Sequence, residues 1–134
     1  MPPRRDRLFQ PNAREAALLV LYLLDAGAVD RRPISRARLS DITIRRLWGR
    51  TRVPEGFLLE VQEFLLGAGW ALFWAGSGYA IIRVSAIEGW PLISSKRIED
   101  DLQRISRGRF EFDEIEHLFL SVDDIADEEE DRGE

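Results

Sequence analysis

A mainly helical fold carrying a small β-hairpin is the class this sequence predicts, and two observations predict it. Residues 40–48 and 54–68 have the apolar spacing of two short helices separated by a tight turn. Directly after them the apolar runs 70–75 and 79–84 flank Gly76-Ser77-Gly78, the pattern of two strands joined by a tight turn.

The 134 residues suffice for one hydrophobic core with tails. The chain has no cysteine, which excludes disulfides, thiolate metal sites and cysteine nucleophiles. The basic start at residues 1–7 has the charge of a signal peptide. The apolar run 16–24 is only nine residues long, however, against the roughly 20 that span a bilayer, and no small-residue cleavage pattern follows. It reads as a core helix, and a cytoplasmic protein that does not engage a membrane is expected.

The net charge of -5 conceals an asymmetry. Residues 1–52 carry twelve arginines against five acidic residues, and residues 53–110 carry six basic against seven acidic. Residues 111–134 carry one basic against twelve acidic. Such a split suggests a surface that faces a polyanion and an acidic tail that is solvated, interactive or autoinhibitory.

Residues 1–11, rich in proline and charge, read as a flexible basic arm. Asn12 and Glu15 have capping-box spacing, opening a helix that Gly27 ends. Because 16–24 is apolar on nearly every side, this helix is expected at the centre of the core or between two subunits. Residues 29–39 form an Arg-rich connector with a short strand near 37–39. Ser40 caps a helix over 41–48 with Ile42 and Trp48 inward, and Gly49 closes it.

Pro54 suits the first position of the next helix. There Phe57, Leu58, Val61, Phe64, Leu65 and Ala68 fall on one stripe and Gln62 on the exposed side. Beyond the hairpin, Ser94 or Ser95 caps a helix over 96–107 with Ile98, Leu102 and Ile105 inward. Phe110 and Phe112 permit a short strand. Asp113 and Glu116 have capping-box spacing before an amphipathic helix reaching Val122. The organisation expected is an arm at 1–11, a helical and hairpin domain at 12–88, a helical extension at 89–122 that mediates self-association, and a disordered acidic tail at 123–134.

The order helix, short strand, helix, turn, helix, ribbon resembles the winged helix-turn-helix superfamily of bacterial and phage transcription regulators. Residues 40–49 and 54–66, the Gly69-Trp70 junction and Gly76-Ser77-Gly78-Tyr79 carry the likeness, about half the chain. The resemblance implies that the helix after the turn enters the major groove of DNA while the wing and the preceding helix touch phosphates. On this chain the outward face of that helix is Glu55, Leu59, Gln62, Glu63 and Leu66, with no Arg or Lys, a poor reader of DNA. The positive charge lies upstream instead. Arg45, Arg46, Arg50 and Arg52 lie on the preceding helix and its turn, Arg31, Arg32, Arg36 and Arg38 in the connector, and Arg4, Arg5 and Arg7 on the arm. If they converge, they hold phosphates with the arm in a minor groove and leave the third helix for a partner.

Other chemistry is weakly represented. His117 stands alone among carboxylates, the acidic pairs at 99–101 and 123–124 are contiguous rather than convergent, and no helix or Lys follows Gly76-Ser77-Gly78 as a phosphate cradle requires. No enzyme, metal or cofactor is expected. Trp48 and Trp70 are core candidates, while Trp74 near the hairpin tip is harder to bury and available to a partner. The expectation is a DNA-binding transcriptional regulator acting as a homodimer on double-stranded DNA, with Arg36, Arg38, Arg45, Arg46, Arg50, Arg52, Gln62 and Ser77 at the interface. The alternative is a protein-interaction module, an adaptor or nucleic-acid mimic. It would use the winged-helix scaffold through its acidic third helix, at Leu59, Gln62 and Leu66, and its tail.

Overall fold

The computed structural model describes residues 9–28 and 32–120. It divides into two compact units, Met1–Pro91 and Leu92–Glu134. The first contains, in order, α1 (Ala13–Ala26), β1 (Arg36–Leu39), α2 (Asp41–Trp48), α3 (Glu55–Gly67), β2 (Trp70–Trp74), β3 (Tyr79–Arg83) and the single turn α4 (Val84–Ile87). The second contains a 3-10 turn at Ser95–Ile98, α5 (Glu99–Ser106) and α6 (Phe112–Phe119). The fold is thus mainly helical with a small antiparallel sheet. No helix among the described residues is long and apolar enough to cross a membrane.

Local chemistry sets the helix ends. The Asn12 side chain accepts from the Glu15 N–H at 2.8 Å while the Glu15 carboxylate accepts from the Asn12 N–H at 3.0 Å, so two N–H groups that a helix start leaves unpaired are satisfied together. The Ser40 hydroxyl accepts from the Thr43 N–H at 3.1 Å. Gly49 then stops α2 in the left-handed region, φ 62°. Pro54 stands at the cap of α3 rather than in its first turn, a shift of one residue.

Hydrophobic burial joins these elements. Ala16, Ala17, Val20 and Leu24 of α1, Ile44 and Trp48 of α2, and Val61 and Leu65 of α3 meet Leu39, Trp70, Leu72, Tyr79 and Ile81 from one face of the sheet. Trp48 is fully buried, its indole N–H donating to the Ala16 carbonyl at 3.1 Å and its ring meeting Phe57 edge-on. Burying the indole together with a partner for its one polar atom avoids the cost of an orphaned donor.

Several expectations are corrected. Ile42 is exposed: it stands two residues, about 200°, around the helix from buried Ile44, so α2 turns it to solvent. Phe64 and Ala68 are exposed as well, because the covered stripe of α3 is narrower than its apolar spacing suggests. Of the two positions expected for α1, the centre of the core does not hold, since Leu18 and Tyr22 lie on an open face of the single chain. The expected two-stranded ribbon is a three-stranded sheet in the order β1-β3-β2, with Arg36 opposite Ile82, Arg38 opposite Ala80 and Phe73 opposite Ala80.

Residues 9–11 are tied down rather than loose. The Gln10 side-chain amide donates to the Gly49 carbonyl at 3.1 Å, Pro11 is buried, and its carbonyl accepts from Arg50. The rest of the expected arm, 1–8, lies outside the described residues, as do Arg31, Val122 and the acidic tail.

In the second unit the single expected helix over 96–107 divides. Ser94 caps the 3-10 turn, and α5 starts at Glu99. Phe110 and Phe112 form no strand: Phe112 opens α6 and meets Phe110 edge-on, and the cap residue of α6 is Glu111, without the Asp113–Glu116 box. Ile98, Leu102, Ile105 and Ile115 all remain partly exposed, because two short helices provide too little cover for their apolar stripes.

Candidate functional site

The hairpin between β2 and β3 is turned by Gly76 and Ser77, with the Ala75 N–H donating to the Gly78 carbonyl at 2.7 Å and Gly76 at φ 90°. Two clefts adjoin the hairpin, one against its turn and one against Trp74 and Tyr79 at the end of its strands. One, of about 410 Å³, is lined by Arg38 and Ser40 from the end of β1 and by Ser77 and Gly78 from the turn. The other, of about 470 Å³, is lined by Asp41 and Arg45 of α2, Thr51 and Arg52 of the following turn, Leu58 of α3, and Trp74. Tyr79 borders both.

Tyr79 is buried with its ring edge-on to Trp74, centroids 4.9 Å apart. Burial pushes its phenol above the usual tyrosine range, and the Asp41 carboxylate adds to the effect by opposing a second negative charge. The phenol is therefore a neutral wall shared by the clefts. Trp74 is half-exposed at the tip, so an aromatic face stands beside cationic side chains.

The eight residues singled out from the sequence have different fates. Arg38 and Ser77 share the first cleft, and Arg45 and Arg52 share the second. The Arg45 Nε donates to Asp41 at 3.0 Å, a half-exposed pair one helical turn apart that contributes about 0.3–0.5 kcal/mol and halves the local charge. Arg46 and Arg52 are exposed and make no ion pair among the described residues. Arg36 is exposed on the same face of β1 as Arg38.

Arg50 and Gln62 are held within the fold. The Arg50 guanidinium stacks on Phe57, 3.8 Å from the ring centroid, and donates to the Pro11 carbonyl at 3.1 Å. Its Nε is buried without a partner among the described residues. Gln62, expected in solvent, is instead half-buried and donates to the Leu72 carbonyl at 2.9 Å. Backbone bonds from Val84 to Gly69 and from Ala75 to Gly78 fix the alternation of the β2–β3 ladder, so the Leu72 carbonyl points away from β3, along the free edge of the sheet. Gln62 covers that edge, a structural task that helical periodicity does not reveal.

The outward face of α3 therefore presents Leu59, Phe64 and Leu66 among Glu55, Glu60 and Glu63. No group of three or more His, Asp or Glu side chains among the described residues is arranged to hold a metal ion, and His117 lies exposed on α6. Comparison with protein-family models, characterised proteins and solved structures finds no match.

Proposed function

We propose that the chain is a transcriptional regulator that binds double-stranded DNA through a winged helix-turn-helix domain, as a homodimer and without a cofactor. The order α1, β1, α2, α3, β2, β3, with β1 paired to β3, supports the fold reading. The observation that carries the functional reading is the pair of clefts beside the hairpin, one of which brings Arg38 and Ser77 together and the other Arg45, Arg52 and Trp74.

In this reading the tip enters a groove, Arg38 and the Ser77 hydroxyl contact one phosphate backbone, and Arg52 contacts the other, with Arg46, exposed on α2 outside both clefts, as a further contact. Ser77 and Gly76 suit the tip because they let backbone approach closely. Arg45, already paired with Asp41, contributes less, and Arg50 supports the turn from inside. With its glutamates and with Gln62 engaged by Leu72, α3 stands off the DNA. Base readout by α3 is accordingly minor, and positioning on the backbone dominates.

A second reading has its own support. Leu59 and Leu66 are each more than half exposed, side by side with carboxylates, a surface suited to a basic and apolar protein partner. It is compatible with DNA binding, because it uses the face that the first reading leaves free. A polarisation titration of labelled duplex at two salt concentrations tests the first reading: saturable binding that weakens at higher salt is expected, and its absence leaves the protein-interaction reading alone.

A further inference from the structure

The outer face of the sheet holds a third cleft, of about 400 Å³, with Arg36 and Arg38 along one side and Phe73 and Trp90 among its walls. Its construction follows from the register. Phe73 lies opposite Ala80 and Ala80 opposite Arg38, so an aromatic ring, a methyl group and a guanidinium form one row across three strands; Ala71, Ile82 and Arg36 form the next. Adjacent strands are about 4.8 Å apart, which sets the ring roughly 10 Å from the arginine side of the row, comparable to the span of one nucleotide from base to phosphate. Phe73 and Trp90 are each about half exposed, at 46% and 56%, and among the described residues none that lines the cleft is acidic.

We infer that this face binds single-stranded nucleic acid, with unstacked bases on Phe73 and Trp90 and the backbone phosphates on Arg36 and Arg38. The charge complementarity is direct: two guanidinium groups that make no ion pair among the described residues border an otherwise apolar trough. At Ala80 the floor is only a methyl group, which leaves room for a flat ring beside Phe73, while Ile82 raises the floor in the next row. A duplex has its base faces covered by one another, so the aromatic walls distinguish single strands from duplexes. The inference shares Arg38 with the duplex site proposed at the hairpin tip but rests on Phe73, Trp90 and Arg36, which that site does not use, so it survives the failure of duplex binding.

The test is a polarisation titration of the full chain with labelled 12-nucleotide oligothymidylate and oligouridylate, alongside a labelled duplex. Phe73→Leu and Trp90→Leu keep apolar volume but remove the ring faces, and each is expected to weaken binding of the single strand about tenfold. Affinity for the duplex and the thermal midpoint are expected to stay unchanged. Saturable binding of either oligonucleotide by the wild type that both variants weaken supports the inference, and the tighter of the two identifies the sugar preferred. No saturable binding by the wild type, single-strand binding by both variants equal to that of the wild type, a parallel fall in duplex affinity, or displacement of neither oligonucleotide by excess unlabelled strand overturns it; preferential capture of an acidic amphipathic peptide by the same aromatic residues does so as well.

Discussion

Gly49 shows how one residue couples the chain start to the turn on which the cationic side chains depend. At φ 62° it occupies a conformation that costs other residues about 1–2 kcal/mol, and an added Cβ would stand 2.7 Å from the Phe9 carbonyl oxygen. Gly49→Ala is therefore expected to lower stability by at least that amount, read from the urea midpoint at constant slope. Tyr79 gives a second expectation. Its phenol is raised in the folded state, so folding binds a proton more tightly there; the associated stability is intact below about pH 10 and fades as pH rises above it. Tyr79→Phe should flatten the loss of thermal stability between neutral and strongly alkaline solution, and an unchanged alkaline limb would contradict the assignment. At this scale the sequence is informative where a side chain's task is local. Asn12, Ser40 and Gly49 announce their roles by spacing, whereas Arg50 and Gln62 are spent on Pro11 and Leu72, partners that only the folded chain brings near.

Among elements, α3 carries the sharpest functional contrast. It buries Val61 and Leu65, and turns Glu55, Glu63, Leu59 and Leu66 to solvent. If it lay in the major groove, removing its carboxylates would strengthen DNA binding by relieving repulsion of phosphates. The proposed geometry instead predicts that Glu55→Gln with Glu63→Gln changes duplex affinity by less than about twofold, measured by polarisation near physiological salt. A gain of tenfold or more would put α3 against the DNA. Helices are legible in the sequence because apolar spacing and caps are local signals, and the hairpin because Gly76-Ser77-Gly78 punctuates two apolar runs. The pairing of β1 with β3 is not, since it joins residues far apart in the chain, such as Arg36 and Ile82, and depends on the hairpin already being present. Alternation along β1 puts Arg36 and Arg38 on one face, and the pairing sets that face in the same sheet as Phe73, which forms the cleft at Phe73 and Trp90 that spacing alone conceals.

Across the whole molecule, surface left open by each unit bears on assembly. Leu18 and Tyr22 are open on α1; in the second unit Leu118, Phe119 and Leu120 are each more than 60% exposed. Apolar exposure on this scale motivates the homodimer, and light scattering at tens of micromolar should return twice the 15.4 kDa chain mass. Leu118→Asp with Phe119→Asp should shift that mass toward the monomer; a wild-type monomer would remove dimerisation from the account. The central claim, that cationic side chains around the hairpin tip hold duplex phosphates, is tested most directly by the salt dependence of binding. For the wild type and for a variant with Arg38→Ala, Arg46→Ala and Arg52→Ala, duplex affinity is measured over a range of salt and plotted on logarithmic axes. The account predicts weaker binding by the variant to every duplex and a slope shallower by close to one unit for each phosphate that no longer meets an arginine. An unchanged affinity and slope, in a variant shown to be folded, would contradict it.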